Sequence, residues 1–189
     1  MTPGIIAWGE RIITADDVAG LTVLEVGSAN VNGSLRPHVE ALGPARYHGV
    51  DPYPEPNVGG VDEVILAENL VDRYGVESWD VVISTEMLEH AEHWQAVVWA
   101  MKAVTRPGGL NVITTRSVGF PYHPYPEDWW RYSVGDFGAI WGDWTIEDLT
   151  DDPDNPGVFI RARRPADWDA VAGRTLLDGL EVTRQRKTY

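Results

Sequence analysis

The sequence predicts an α/β fold, a mostly parallel sheet covered on both faces by helices and closed by an antiparallel hairpin. Three observations predict it. Short apolar runs alternate with helix-spaced patterns, one segment carries a single long apolar stripe, and two strand-like runs near the end flank a turn-rich stretch. Strand–helix–strand alternation places parallel strands side by side, with the crossover helices packed on the sheet faces.

Taken in order, the candidate strands are residues 22–26 (TVLEV), 47–50 (YHGV), 62–66 (DEVIL), 80–84 (DVVIS) and 110–114 (LNVIT). A helix is expected from about Ser34 to Leu42, with Pro37 tolerated in its first turn and Gly43 as its stop. The clearest helix lies between the last two strands. Trp94, Val97, Val98, Met101 and Val104 fall at i, i+3, i+4, i+7 and i+10, and Pro107-Gly108-Gly109 is expected to end it. WTIEDL (144–149) and GVFIRAR (157–163) then flank TDDPDNP (150–156), the pattern of a hairpin. Residues 1–163 read as one domain, and 164–189 as a C-terminal extension, partly helical or frayed.

The bulk numbers bound the function. The 189 residues suffice for a sizeable core. Absent cysteines exclude disulfides, thiolate metal sites and cysteine nucleophiles, and no metal-ligand set is read from the sequence. The N-terminus lacks a secretory pattern and no run approaches a membrane span, so a cytoplasmic protein is expected. The formal charge of −14 is uneven: residues 161–189 hold 7 basic and 4 acidic residues, the remainder 8 and 25. So acidic a body repels a phosphate backbone, which argues against nonspecific nucleic-acid binding.

Ligands of open parallel sheets bind beyond the carboxyl ends of the strands, where strand order reverses. The first strand ends at Val26 and runs into Gly27-Ser28-Ala29-Asn30. A dinucleotide fingerprint needs glycines in the pattern G-x-G-x-x-G, but here those positions hold Gly27, Ala29 and Asn32. Glu25 also opposes a pyrophosphate and favours a ligand with a positive centre. S-adenosylmethionine, with its α-ammonium and sulfonium, is such a ligand. At the end of the second strand Asp51 is placed to bond ribose hydroxyls, and Pro52 turns the chain away.

The segments VLEVGSANVNGSLRP (23–37), YHGVDPYP (47–54), WDVVISTEMLEHAEHW (79–94), VTRPGGLNVITTRS (104–117) and HPYPEDWWRYSVGDF (123–137) resemble those of class I S-adenosylmethionine-dependent methyltransferases. The resemblance covers about residues 20–163. It implies a Rossmann-like three-layer sandwich, with a seven-stranded, mostly parallel sheet and an antiparallel final hairpin strand. It also implies cofactor contacts at Glu25, Gly27, Ser28, Ala29, Asn30, Asp51 and Pro52, with further ones at Glu68, Asn69, Leu70, Ser84, Thr85 and Glu86. This chain departs from the pattern at Ala29 and Val31, where further glycines are usual, and Asn30 or Asn32 is expected to supply a positive φ there.

The reacting end is expected around Glu86 and His90, in STEMLEHAEHW, and in the aromatic loop 117–133. Tyr122, His123, Tyr125, Trp129, Trp130, Arg131 and Tyr132 could wall an acceptor pocket. His123 is the candidate base, and Arg131 would meet an anionic acceptor or Asp128. A methyltransferase acting on a small polar acceptor, at oxygen more than nitrogen, is the leading reading. A methyltransferase-fold protein with a non-catalytic binding or assembly role is the alternative, and an NAD(P)-dependent reductase is disfavoured by Glu25. Nothing in the sequence indicates an oligomeric state.

Overall fold

A computed structural model describes residues 1–53 and 56–185 of the chain. Pro54 of the segment 47–54 and the last four residues of the C-terminal extension lie outside the described residues. The chain opens with α1 (Pro3–Ile12), capped by the Thr2 hydroxyl, which accepts from the Ile5 amide at 3.4 Å. The sequence reading left this helix unassigned, although Ile5, Trp8, Gly9 and Ile12 recur at helical spacing and are buried. A single turn, α2 (Ala15–Val18), leads into β1 (Thr22–Val26). α3 (Arg36–Ala41) and β2 (Arg46–Val50) follow, and Gly43 takes φ +79° after the helix.

Beyond α4 (Leu70–Tyr74) come β3 (Trp79–Thr85), α5 (Trp94–Val104) and β4 (Thr105–Arg116). The chain continues through the short β5 (Trp130–Arg131), α6 (Val134–Ile140), the hairpin β6 (Thr145–Asp151) and β7 (Gly157–Arg163), α7 (Ala170–Asp178) and β8 (Thr183–Arg184). The central sheet runs β2-β1-β3-β4-β7-β6, with β2 to β4 parallel and both contacts of β7 antiparallel. β5 and β8 form a separate antiparallel pair.

Alternation along the strands divides the core in two. Val23, Val81, Ile83, Val112 and Phe159 pack with α1 and α3, whereas Leu24, Val26, Val82, Ile113 and Ile160 pack with α5 and α6. The predicted stripe of α5 is wholly buried, from Trp94 to Val104. Among the described residues no helix is long and apolar enough to cross a membrane.

Two expectations need correction. The central sheet has six strands, because residues 62–66 make only one parallel bridge, Val50 to Glu63. Asp62 turns its carboxylate onto the Gly49 amide at 2.7 Å and onto Arg36, while Val64 and Leu66 are exposed with no strand beyond them among the described residues. The segment's alternation therefore buries no face. The stop of α5 also comes earlier than Pro107-Gly108-Gly109, at Val104, and those three residues belong to the start of β4.

Candidate functional site

A cavity of about 1070 Å³ opens at the carboxyl ends of the parallel strands, and Val26, Val50, Thr85 and Arg116 all contribute to its wall. β1 lies between β2 and β3, so this is where strand order reverses. The volume is at the upper end of the roughly 300–1,000 Å³ usual for small-molecule sites, enough for two ligands side by side.

One half of the cavity is built on the loop after β1. The amides of Gly27 and Ser28 both donate to the Val50 carbonyl, at 2.9 and 3.1 Å, folding the loop over the end of β2. Gly27 has φ +79°, and a Cβ there would lie 2.5 Å from Met87, so conformation and close approach both require glycine. Asn30 and Asn32 do not supply positive φ, contrary to expectation. Gly33 does so at +107°, held by its amide bond to the Asn30 side chain at 3.0 Å. Asp51 accepts from the Tyr53 amide at 2.8 Å and from the Ala29 amide at 3.4 Å, so it shapes the loop it faces.

Glu25 is buried beneath this loop. Its Oε2 has no hydrogen bond of ordinary geometry, nor has the neighbouring Tyr47 hydroxyl or the buried Ser28 hydroxyl. Burial pushes the Glu25 carboxyl up to about 7, against the opposing pull of Tyr47 and Arg36. The Tyr47 hydroxyl acts on this carboxyl as a donor, and a buried carboxylate with no cation bonded to it is a place where a ligand cation completes the structure.

The other half lies over β3 and β4. Glu86 follows β3 with φ +57°, a left-handed conformation rare for a residue with a side chain and concentrated at functional sites. Its Oε1 accepts from the Thr114 hydroxyl at 3.0 Å, and its Oε2 pairs with Arg116. Burial and the nearby Glu89 carboxylate push Glu86 above the usual carboxylate range, against Arg116 and Thr114. Arg116 is nearly buried, reaches Asp152 at 3.3 Å and lies 4.2 Å over the Phe120 ring.

The 3-10 turn Leu88–His90 places Glu89 and His90 beside His123 of the loop after β4. The Nδ1 of His90 is 2.6 Å from the Glu127 carbonyl, which can only accept, so that nitrogen carries the proton. His123 stands between carboxylates, 3.1 Å from Asp128 and 3.5 Å from Glu89. Burial lowers its pKa, but those two carboxylates outweigh burial and push the ring up to about 9.

Of the residues singled out in the sequence, Glu25, Gly27, Ser28, Ala29, Asp51, Pro52, Glu68, Thr85, Glu86, His90 and His123 line the cavity together. Asn30, Asn69, Leu70, Ser84 and Arg131 do not. Leu70 and Ser84 are fully buried beneath it, and Asn30 is spent on the loop itself. Arg131 is buried and paired with Asp128 through both guanidinium nitrogens, and Tyr132 packs into the core. Of the aromatic loop, Phe120, His123, Tyr125 and Trp129 line the cavity. Sequence reasoning passed over Glu89 and Arg116, although Glu89 sits between two residues it had already marked.

The profile of the methyltransferase domain matches residues 5–145. The chain is a class I S-adenosylmethionine-dependent methyltransferase family member. Among solved structures, an S-adenosylmethionine-dependent methyltransferase from Mesorhizobium loti superposes with a TM-score of 0.62 at 16% identity, over 84% of this chain and 96% of that one. The 1,6-didemethyltoxoflavin-N1-methyltransferase of Burkholderia thailandensis, with bound 1,6-didemethyltoxoflavin and S-adenosylhomocysteine, gives 0.67 at 15% identity, over 85% and 78%. No curated protein matches the chain in sequence.

S-adenosylmethionine is the cofactor of this methyltransferase family. The residues present fit it: the buried Glu25 carboxylate suits an ammonium, and Gly27, Ser28 and Asp51 line the same stretch of cavity wall. The nicotinamide alternative has no such support.

Proposed function

We propose that this methyltransferase-family chain moves a methyl group from S-adenosylmethionine to a small polar acceptor, at oxygen. The observation that carries this reading is the continuity of one cavity, with the Glu25–Gly27–Asp51 loop on one side and Glu86, His123, Tyr125 and Trp129 on the other. A small acceptor is favoured by the shared, walled space. The toxoflavin methyltransferase neighbour holds a small molecule beside its cofactor product. Oxygen is favoured because Glu86 and His90 offer acceptor atoms suited to a hydroxyl proton.

When bound, the cofactor supplies an electrophilic methyl group on a sulfonium. In our reading Glu25 receives its ammonium, Asp51 its ribose hydroxyls, and the backbone at Gly27 and Ser28 sets the approach. Glu86 orients the acceptor hydroxyl and takes its proton as the oxygen lone pair forms the new C–O bond. The cofactor's sulfur would accept the electron pair of the C–S bond that this transfer breaks. A carboxylate raised above its usual range is better matched to that proton than an ordinary one. Much of the acceleration comes from in-line positioning, which needs no further group.

S-adenosylhomocysteine is expected to bind and raise the melting temperature, by the equivalent of about 2.7 kcal/mol at a hundred times its Kd. With methyl-labelled cofactor and a panel of hydroxylated and amine-bearing small molecules, label is expected in a hydroxylated acceptor. Absence of any shift at millimolar product would sink the cofactor assignment. Binding with no labelled product across the panel would favour the non-catalytic role. Label carried only on amines would overturn the choice of oxygen.

Replacing Asp51 by alanine is expected to weaken S-adenosylhomocysteine binding by about 1–3 kcal/mol, the scale of lost hydrogen bonds to a charged group. Calorimetry measures it directly. Unchanged affinity would show that ribose is held elsewhere.

A further inference from the structure

Beside the acceptor half of the cavity, three side chains converge in a way the methyl-transfer reading leaves unexplained. Glu89, His90 and His123 each offer a ligand atom, and the three atoms lie within 4.8 Å of one another. Glu89 is fully buried, and its Oε1 has no hydrogen bond. That oxygen points at the Nε2 atoms of His123 and His90, at 3.5 and 3.8 Å. We propose that Glu89 Oε1, His90 Nε2 and His123 Nε2 form a binding site for a divalent transition-metal ion at the wall of the cavity.

The surroundings of each group prepare it for that role. His90 is held through Nδ1 by the Glu127 carbonyl at 2.6 Å, which leaves Nε2 as the ring nitrogen facing the cluster. His123 has Nδ1 against Asp128 at 3.1 Å and the Pro121 carbonyl at 3.3 Å, so Nδ1 keeps its proton, and a bound ion takes the place of any proton on the Nε2 that faces Glu89. The second oxygen of Glu89 accepts from the Thr115 hydroxyl at 2.8 Å, fixing the carboxylate plane. Carboxylate or carbonyl partners behind the imidazoles, and a donor behind the carboxylate, are what orients metal ligands.

The distances nearly suit an ion already. With metal–ligand bonds of about 2.0–2.2 Å, ligand atoms at tetrahedral positions are about 3.4 Å apart. The two separations from Glu89 are within a few tenths of an ångström of that. Small rotations of the two rings close the third edge, and His123, a partly exposed loop residue, has space on its open side for one. Two imidazoles and one carboxylate select zinc, manganese or cobalt over magnesium or calcium, which prefer all-oxygen sets. Three protein ligands also leave at least one position open, and His90 and His123 both line the cavity. That open position would take an oxygen of the acceptor, a consequence that rests on the proposed methyl transfer; ion binding itself does not.

The test uses the full chain, stripped with a chelator, without cofactor or acceptor. Calorimetry with Zn²⁺ and Mn²⁺, and the visible bands of added Co²⁺, are expected to report one equivalent bound. His123→Ala and Glu89→Gln are expected to weaken binding more than about 100-fold. Thr115→Val, which keeps all three ligands and loosens only their support, should weaken it by about 10–100-fold. Circular dichroism and thermal melting check that each variant folds, and His123→Ala, at a partly exposed position, is the safest of them. Failure of all three ions to bind the folded chain would overturn the site. So would one-equivalent binding that His123→Ala leaves intact. Neither result touches the methyl-transfer reading, which S-adenosylhomocysteine binding and the labelled-acceptor panel decide separately.

Discussion

Arg131→Met is expected to lower the stability of the free chain by about 3–5 kcal/mol, because it leaves the buried Asp128 carboxylate with only the partly exposed His123 ring to balance it. Arg131 is 1% exposed and Asp128 4%. The two are joined end-on, Nη1 to Oδ1 at 2.5 Å and Nη2 to Oδ2 at 2.6 Å. The same guanidinium donates to the carbonyls of Pro121 at 3.1 Å and Trp130 at 2.7 Å, so it holds together both ends of the loop that walls the acceptor half. Methionine keeps the apolar stem and removes every one of these bonds. Urea unfolding, extrapolated linearly to water, measures the loss. The double variant Arg131→Met with Asp128→Leu is expected to recover part of it, since no isolated charge is then left behind. A loss below about 1 kcal/mol would mean that water screens the pair as it does a surface bridge. Of the two partners the sequence offers Arg131, an anionic acceptor or Asp128, the structure shows the second, an internal pair rather than an external one.

That pairing shows which parts of the molecule the sequence displays. β1, β3 and the hairpin β6–β7 were legible because buried strands are apolar runs bounded by turn residues, and these runs have few other readings. The stripe of α5 was legible for the same reason. Residues 62–66 misled because alternation reports a face only where something packs against it, and beyond Val64 and Leu66 nothing among the described residues does. The N-terminal helix was legible in principle: Thr2 as cap, Pro3 in the first turn and four buried positions at helical spacing. The positions lining the cavity were mostly readable, since the ends of parallel strands fix where a loop must lie. The partners of those residues were not. Glu89 meets His123 across 34 positions, and Glu25 meets Tyr47 across 22, through the path of loops whose course no local pattern states. Asp128 and Arg131 are the exception, three residues apart and of opposite charge, and the sequence does offer that pairing as one of two choices.

Cofactor binding is expected to be coupled to pH through Glu25, and Glu25→Gln is expected to weaken it by about 1.5–3 kcal/mol near pH 8, the scale for bonds to a charged group. The carboxyl is buried, raised to about 7, with Tyr47, Arg36, Asp62 and Asp51 as the groups that act on it. To receive an ammonium it must be ionised. A group with that pKa is about one-tenth ionised near pH 6 and about nine-tenths near pH 8, so affinity for S-adenosylhomocysteine should rise about tenfold across that interval. Binding should release a proton, visible as a dependence of the calorimetric heat on buffer. Stability of the free chain follows the opposite sign. The folded pKa lies above the ordinary carboxylate value, so the folded state holds the extra proton between the two. The contribution of Glu25 is therefore full below the ordinary carboxylate range and lost as pH rises through about 7. Glutamine has no proton to lose, so in Glu25→Gln both dependences should flatten while the chain remains folded. If the variant keeps the tenfold rise in affinity, the linked proton belongs to another group, and Glu86, raised by burial and by Glu89 on the far side of the cavity, becomes the residue to replace next.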